Sequence, residues 1–327
     1  MRKTWLATTA AAALLALPEV AAAASYEVDP RGSDSAPGTG EQPWRTIESS
    51  LERLRPGDTL TVGGGTYVEN VVGASIRSGS SGSPITVRAA SGQRPVLKGL
   101  LWLNGPSHWT IDGLDVTWRD GNSASEHMVK MTGGTGWTIK NAELSDARSY
   151  AGLLVAGDAS GWTVRDSCVH DTQSANDTNQ DHLIYINTDG GAGSGLITRN
   201  VLFNASNGHG LKLAGDDVRF TYNTVHNTRY GALADGGASG NTWQRNIFAR
   251  SNAGAVFRSY KLTGGGGVAS ENLWHEASRY DAADGGYESI RDGGGNARRD
   301  PQFSSVGSCS GFRPQDPVAA GFGRYAP

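Results

Sequence analysis

The chain has 327 residues, 46 of them glycine, with 19% charged residues and a net charge of -3. This composition is typical of a turn-rich globular protein and excludes a strongly basic nucleic-acid binder. The length alone allows two domains, but the repeat described below runs without a linker, so we expect a single domain over 25–327.

The first 24 residues predict a secretory signal peptide. A basic start at Arg2 and Lys3 precedes an apolar stretch over 5–17, and small residues follow at 21–24. This order is that of a cleaved leader, so we expect a secreted protein that begins near Ser25. No later stretch is long and apolar enough to span a bilayer, and we expect no membrane partner.

A short amphipathic helix is predicted at about 45–55. Apolar residues recur there at helical spacing until Pro56 and Gly57 stop the pattern. Such a helix can cover the open end of the stacked structure that follows. The apolar residues of this helix are Trp44, Ile47, Leu51 and Leu54.

From residue 116 onward, a short motif of alternating apolar residues repeats about every 23 to 33 residues. A period of this size predicts a solenoid, in which stacked coils share one continuous core. Short β-branched runs broken by Gly and Asn favour strands, and the Leu-rich consensus of leucine-rich repeats is missing. The residues that anchor the repeat are Val116, Leu144, Val169, Leu202, Val225, Phe248 and Trp274.

Polar residues keep fixed offsets from these anchors. Asn stands two positions before the later anchors, and Asp or Asn stands two positions after the middle ones. Such side chains bond nearby backbone and tolerate left-handed dihedrals, so they predict bends that stack and bond along a column. The two sets are Asn200, Asn223, Asn246 and Asn272, and Asp146, Asp171, Asn204 and Asn227.

A second strand in each coil follows the anchor. In HGLKL at 209–213, for example, Leu211 and Leu213 face the core and Lys212 faces outward. Because neighbouring parallel strands lie about 4.8 Å apart, Tyr185 is expected beside Lys212. The outward residues predicted from these segments are Lys130, Leu154, Tyr185, Lys212, Leu233 and Val256.

Other polar residues gather on the same coils. His182 and His209 begin adjacent strands and are predicted to stack at the edge of this face. The loops before His127 and His182 are long and predict the walls of a groove that suits an extended polymer. The nearby charged and polar residues are Asp181, Asp189, Arg229 and Tyr230.

The end of the chain lacks the repeat. After Asn272 the period is lost, and 297–327 is expected to form an irregular tail over the last coil. Cys168 and Cys309 either pair, as an oxidising compartment permits, or remain two free thiols.

The coiled pattern resembles the right-handed parallel β-helix enzymes that process polysaccharides. The segment GHGLKLAG at 208–215 is similar to the strand that carries the catalytic lysine of family 9 pectate lyases, and Lys212 matches that lysine. The resemblance implies an all-β, right-handed parallel β-helix with a short N-terminal capping helix. It also implies a lyase that acts on an acidic polysaccharide such as pectate or alginate.

The aspartates that hold calcium in those lyases have no counterpart here. Ala151, His182 and Tyr185 stand at the aligned positions, and Asp181 is the carboxylate that remains. One carboxylate is too few for an oxygen-rich calcium site, so no cofactor is assigned and calcium stays open. Candidate ligands for a different metal site are Asp177, Asp181 and Asp189.

β-Elimination requires a base for the proton α to a uronate carboxylate, a group that stabilises the developing charge, and an acid at the leaving oxygen. Lys212 or Tyr185 is the candidate base. Arg229 or His209 is expected to neutralise the carboxylate, and Tyr185 or His182 to protonate the leaving oxygen. The residues expected to bind the polymer are Lys130, His127, Tyr230, Asp189 and Arg258.

Three other functions stay open. An inverting hydrolase would use two carboxyl groups, with Asp189 and Asp235 as candidates. A C5 epimerase would share the proton abstraction, and a non-catalytic solenoid would bind carbohydrate through tryptophans. Trp109, Trp137 and Trp162 recur at equivalent places, however, which indicates packing. We expect a monomer whose partner is an acidic polysaccharide and not a nucleic acid.

Overall fold

The computed structural model describes residues 23–173, 180–188 and 193–327. The predicted signal peptide lies outside these residues up to position 22. Nearly all regular elements are strands that pair in parallel with the strands one coil earlier and later, which confirms the predicted all-β parallel β-helix. Within the described ranges, no helix has the length and apolar character needed to cross a membrane.

Each coil contributes strands to three columns, here named the first, anchor and groove columns in chain order. The first column contains Ser25–Val28, Thr59–Val62, Ile85–Ala89, Trp109–Asp112, Thr138–Lys140, Trp162–Arg165, Gly195–Thr198, Val218–Thr221, Asn241–Gln244, Gly267–Ser270 and Arg291–Asp292. The anchor column contains Gly65–Val68, Pro95–Lys98, Asp115–Thr117, Glu143–Ser145, Cys168–His170, Val201–Leu213, Thr224–Asp235, Ile247–Ser251, Leu273–His275 and Ala297–Arg298. The groove column contains Leu101–Asn104, Val129–Thr132, Ala151–Gly157, His182–Thr188, the later parts of Val201–Leu213 and Thr224–Asp235, then Ala255–Tyr260 and Arg279–Ala283.

The predicted anchors pair with one another residue for residue. From Val116 to Trp274, each anchor is the direct partner of the anchor in the next coil. All of them are buried except Trp274, which is partly buried. Since side chains alternate along a strand, a slip of one residue would turn this whole apolar row to solvent. The anchors therefore determine the register of every coil.

Tryptophans of the first column fill the core, as predicted. Trp109, Trp137 and Trp162 are all buried, and the rings of Trp137 and Trp162 stack with centroids 5.5 Å apart. The next coil carries Gly195, where a Cβ atom would lie 2.1 Å from the Trp162 ring. Glycine at this position makes room for the large ring. These three indoles are thus unavailable for stacking on sugars.

The buried asparagines form a continuous ladder before the anchors. The Asn223 side-chain oxygen accepts from the backbone N–H of Asn200 at 2.9 Å, and its amide donates to the Ile197 carbonyl at 2.9 Å. Asn246 and Asn272 repeat the first of these bonds one and two coils further on. The ladder satisfies backbone groups at a corner where no strand partner is present. The predicted stacking of these asparagines is confirmed.

A second ladder follows the anchors. Asn204 donates from its side-chain amide to Asp171 at 2.8 Å, and Asn227 donates in the same way to Asn204. These three residues, and Asp146 one coil earlier, have φ between 54° and 61°, the left-handed region that Asn and Asp tolerate best. The bends predicted from their spacing are present.

The predicted capping helix is Ile47–Arg53. Ile47 and Leu51 are buried against the first coil. The Glu69 carboxylate, just after the first anchor strand, accepts from the backbone N–H groups of Ile47 and Glu48 at 2.8 and 3.1 Å. A neighbouring strand thus supplies the acceptor that the free N–H groups of a helix start require.

The C-terminal tail lies along the outer side of the anchor column. A disulfide joins Cys168 to Cys309, which settles the pairing that the sequence left open. Phe312 is buried against Phe203, with ring centroids 5.0 Å apart. The sequence predicted a tail over the last coil only. The tail instead covers several middle coils.

The last residues of the tail bond to the same column. Arg199 donates to the carbonyl of Ala326 at 2.7 Å, and Arg324 donates to the carbonyl of Arg199 at 2.5 Å. The expectation that the repeat ends after Asn272 is wrong, because Ala297–Arg298 still pairs with Leu273–His275 in the anchor column. Beyond Arg298, the 3-10 helix Pro317–Gly321 is the regular element of the tail.

Replacing Asn223 by alanine tests the buried ladder. Asn223→Ala leaves the Asn200 N–H and the Ile197 carbonyl buried without partners, so we expect the free energy of unfolding to fall by about 2–4 kcal/mol. Asn252→Ala is the matched control, because Asn252 is exposed and makes one 3.3 Å bond in the outer ladder. Denaturant unfolding measures both, and equal losses in the two variants would contradict the role given to the ladder.

Candidate active site

One line of outward residues runs along the groove column. Tyr185 pairs with Lys212 and with Leu154, as predicted from the spacing. Leu154 and Leu233 are buried, and each separates cationic or aromatic side chains on its two sides. In coil order the line is Trp102, Lys130, Leu154, Tyr185, Lys212, Leu233 and Arg258.

The prediction that Val256 belongs to this line is wrong. Val256 is completely buried, and Arg258 is the residue that pairs with Leu233. Ala253 and Gly254 look like the start of a groove strand but form the turn before it, and the strand begins at Ala255. The alignment was therefore two residues early. Arg258 is thus a third cation in the line, two coils beyond Lys212.

Lys212 lies between an aromatic ring and a carboxylate. Its Nζ atom is 4.6 Å from the centroid of the Tyr185 ring and 3.6 Å from Oδ2 of Asp235. The Lys212 side chain is 17% exposed, so its amine remains accessible from the groove. A cavity of about 200 Å³ lies over this amine, with His182, His209, Leu233 and Tyr260 among its walls.

His182 and His209 stack as predicted, with ring centroids 4.8 Å apart, but they do not lie at an exposed edge. Each ring is only 1% exposed. The backbone N–H of His209 donates to Nδ1 of His182 at 3.3 Å, which leaves Nε2 of His182 to carry the proton. His182 also meets Tyr185 edge-on at 5.7 Å.

Both histidines are held neutral. Burial, followed by the charges of Arg229, Lys212 and Arg258, lowers the pKa of His209 to about 3. Burial, with His209 and Lys212 nearby, lowers the pKa of His182 well below its usual value. His209 is therefore unsuited to act as the cation that neutralises a carboxylate, contrary to the expectation from the sequence.

The glycines on either side of His209 have a packing role. A Cβ atom at Gly208 would lie 1.9 Å from the Asp181 carbonyl oxygen, and one at Gly210 would lie 2.5 Å from the Gly231 carbonyl oxygen. Neither backbone can give way, because both belong to neighbouring coils. The G-H-G sequence thus allows the coils to approach closely where His209 stacks.

A second cavity, of about 410 Å³, continues the groove beyond Lys212. Arg229, Arg258 and Arg279 lie in its walls together with Tyr230. The Nε atom of Arg229 is buried and makes no hydrogen bond to any described residue. Arg258 in contrast donates to the carbonyl of Ala282 at 2.6 Å. A donor without a partner in a cationic cavity is suited to an incoming anion.

Tyr260 links the two cavities and was missed by the sequence analysis. It is 40% exposed and lies in the walls of both. Its position follows from the corrected register, since Tyr260 pairs with Asp235 two residues after Arg258. Gln180 and Arg279 also contribute to these walls without having been predicted.

The predicted polymer-binding residues separate into two groups. Tyr230 and Arg258 lie at the arginine-rich cavity, and the Tyr230 ring is 5.4 Å from that of His209. Lys130 lies on the other side of Lys212, at a cavity of about 390 Å³. His127 is mostly buried beside it, and burial followed by the charge of Lys130 lowers the pKa of His127 to about 4.

The proposed metal ligands do not form a site within the described chain. Asp177 and Asp189 lie outside the described residues, and Asp181 is buried directly before His182. Among described residues, the one group of at least three donors close enough to hold an ion contains Cys168, Cys309 and a histidine, and its two sulfurs form the disulfide. The buried atoms without partners at the groove are mainly nitrogens, which do not suit calcium.

The neutral state of His209 makes stability depend on pH. The unfolded chain takes up a proton below about pH 6.5, whereas the lowered pKa delays uptake in the folded chain to about 3. The stabilisation is thus complete above pH 6.5 and is lost as the pH falls towards 3. At pH 5 we expect this one residue to lower the free energy of unfolding by about 2 kcal/mol relative to pH 7.

Denaturant unfolding at pH 7 and pH 5 measures this effect. His209→Asn keeps a neutral polar side chain, so its loss of stability between the two pH values should be smaller than that of the natural chain by about 2 kcal/mol. An identical pH dependence in both proteins would show that His209 is not held neutral by its surroundings.

Comparison with known proteins identifies relatives of this fold. A family model described as "Pel9A-like, right handed beta helix region" matches residues 26–199, more than half of the chain. The match includes His182 and Tyr185 and ends before Lys212. The crystal structure of pectate lyase Pel9A superimposes with a TM-score of 0.52 and 18% identity over 90% of both chains, which shows a shared fold.

Two curated proteins are similar over shorter stretches. The uncharacterized protein YwoF of Bacillus subtilis is 26% identical over 156 residues, which are 47% of this chain and 30% of YwoF. Pectate lyase PEL9 of Emericella nidulans is 34% identical over 82 residues, which are 25% of this chain and 20% of PEL9. The matched stretches thus span less than a third of either relative. By its sequence from 26 to 199 and by its stacked coils, the chain belongs to the Pel9A-like right-handed β-helix family.

Proposed function

We propose that this protein is a secreted lyase that cleaves an acidic, uronate-containing polysaccharide by β-elimination, with Lys212 as the base. The observation that carries the proposal is the placement of the Lys212 amine. It opens into the groove between the Tyr185 ring and a cavity lined by three arginines. Two relatives whose names state an activity are pectate lyases, which supports an acidic polymer as the substrate.

β-Elimination removes a proton from the carbon α to the carboxylate and adds a proton to the leaving oxygen. As the base, the Lys212 amine takes the proton from the carbon α to the carboxylate. The electron pair of that bond forms a carbon–carbon double bond as the neighbouring bond to the leaving oxygen breaks. The hydroxyl of Tyr185, whose ring contacts Lys212, supplies the proton to the leaving oxygen. The products are a new chain end and an unsaturated uronate.

Charge stabilisation is assigned to arginine. As the proton leaves, negative charge grows on the uronate carboxylate, and fixed donors aimed at that charge lower the barrier. Arg229 lies in the cavity wall, its buried Nε atom makes no hydrogen bond within the described chain, and no described carboxylate pairs with it, so its charge is free for the substrate carboxylate. The neutral His182 and His209 rings exclude water beneath Lys212 and Tyr185 and hold both in place.

Calcium does not fit the described part of the groove. The ion takes six to eight oxygen ligands. Among the described residues of the two central cavities, the carboxylates are Asp235, which contacts Lys212, and Asp284, which bonds Arg258. Both carboxylates are engaged by basic side chains, and the two further arginines, Arg229 and Arg279, would repel a metal ion nearby. Arginine performs the neutralising role in our proposal.

Replacing the base is the direct test. Lys212→Met keeps the length of the side chain and removes the amine, so we expect the rate of unsaturated uronate formation to fall about 10²- to 10⁴-fold. The rate is followed by ultraviolet absorbance on polygalacturonate and alginate. Lys140→Met is the matched control, because Lys140 pairs with Asp112 on the first column, away from the groove.

The alternatives predict different results in this assay. A hydrolase shortens the polymer without new absorbance, a C5 epimerase changes sugar composition without shortening it, and a binding protein does neither. Full activity of Lys212→Met, with Lys140→Met equally active, would refute Lys212 as the base.

The arginine assignment predicts resistance to chelators. We expect excess EDTA to leave lyase activity unchanged and Arg229→Gln to reduce kcat about 10²-fold, since a charged donor that acts mainly in the transition state is lost. Arg291→Gln, an exposed arginine outside the groove column, is the control. Loss of activity in EDTA that added calcium restores would mean that a metal ion holds the substrate carboxylate.

A further inference from the structure

The cavity at the N-terminal side of the groove has the features of a saccharide-binding site. It has a volume of about 390 Å³ and lies in the same outward line as Lys212. One part of its wall is apolar and another is polar and cationic. The residues that matter are Val72, Ala74, Trp102, Asn104, Lys130 and Thr132.

The Trp102 ring is held in a fixed orientation. Its indole N–H donates to the backbone carbonyl of His127 at 2.6 Å, one coil further on. Lys130 pairs directly with Trp102 across the strands, and its Nζ atom lies 5.2 Å from the centroid of the ring. Val72, at the rim, is 45% exposed. A rigid aromatic surface beside a lysine, with an exposed apolar residue at the rim, suits a ligand that has one apolar and one charged part.

We propose that this cavity is a remote subsite that binds a uronate residue of the same polymer that Lys212 cleaves. The apolar wall with Trp102 suits the carbon face of a sugar ring, and Lys130 suits its carboxylate. Asn104 and Thr132 suit hydroxyl groups. The inference rests on the proposed function for the identity of the polymer, but binding at this cavity does not require cleavage.

The distance from the base determines what the subsite can recognise. Lys130 and Lys212 are three strand spacings apart in the outward line, which is about 14 Å. That separation exceeds one sugar ring, so only a chain of several residues reaches both. On the other side, Arg258 lies two strand spacings from Lys212, or about 10 Å. A polymer that contacts both Lys130 and Arg258 extends to both sides of the base, so we expect cleavage within the chain.

His127 connects the subsite to the reaction centre. Its carbonyl fixes Trp102, while its ring lies 6.4 Å from that of Tyr185. His127 is thus assigned a positioning role, and not the direct contact with substrate that the sequence suggested.

The test measures binding of oligogalacturonates by titration calorimetry in the Lys212→Met background, so that the ligands stay intact. We expect Lys130→Met and Trp102→Ala each to weaken octasaccharide binding about tenfold and to leave disaccharide binding unchanged. Arg298→Met is the matched control, because Arg298 lies 5.2 Å from the Trp274 ring in a similar pair on the anchor column. It should bind both ligands as the parent does.

The outcomes separate the subsite from the proposed reaction. Octasaccharide affinity unchanged in both Lys130→Met and Trp102→Ala, or absent in the parent, overturns the subsite. Length-dependent binding that needs Lys130 and Trp102 upholds it even if the natural chain forms no unsaturated product, a result that would overturn the lyase alone. Lys130→Met removes no buried group, so it remains informative if Trp102→Ala unfolds, which thermal melting checks.

Discussion

The structure depends on one constraint: every coil must meet the next at the spacing of a parallel strand ladder, about 4.8 Å. At that spacing a residue lies directly on its counterpart, so neighbouring coils have to agree in size and in hydrogen bonding. Tryptophan stacks on tryptophan in the first column, and asparagine bonds to asparagine at the corner before the anchors. Where a large side chain leaves no room for another, the residue in the next coil is glycine, as at Gly195 next to Trp162.

The same constraint arranges the electrostatics of the groove. Stacking puts His182 on His209 within the wall, where burial keeps both rings uncharged. Positive charge comes instead from the arginines that face the groove. The groove is therefore cationic although the whole chain is slightly acidic. Local placement of charge, and not the total, determines which polymer approaches.

Much of the fold could be predicted because the repeat carries its own register. The anchors and the asparagines recur at fixed offsets, and each has a physical reason to do so. The groove strand near Val256 was misplaced because the sequence at Ala253 and Gly254 is similar to the first residues of the other groove strands. Such small residues do not indicate which side chains face the core. The burial of His209 and the path of the tail could not be predicted, since both depend on contacts between distant segments.

The tail changes how such a stack can come apart. Coils held only by their neighbours fray from an open end, one at a time. The bond between Cys168 and Cys309 closes a loop of 141 residues, and Arg199 holds the last residues of the chain against the same column. Unfolding of the final coil is therefore coupled, through the tail, to the middle coils. We therefore expect the C-terminal half, which contains Lys212, to unfold as one cooperative unit and not coil by coil.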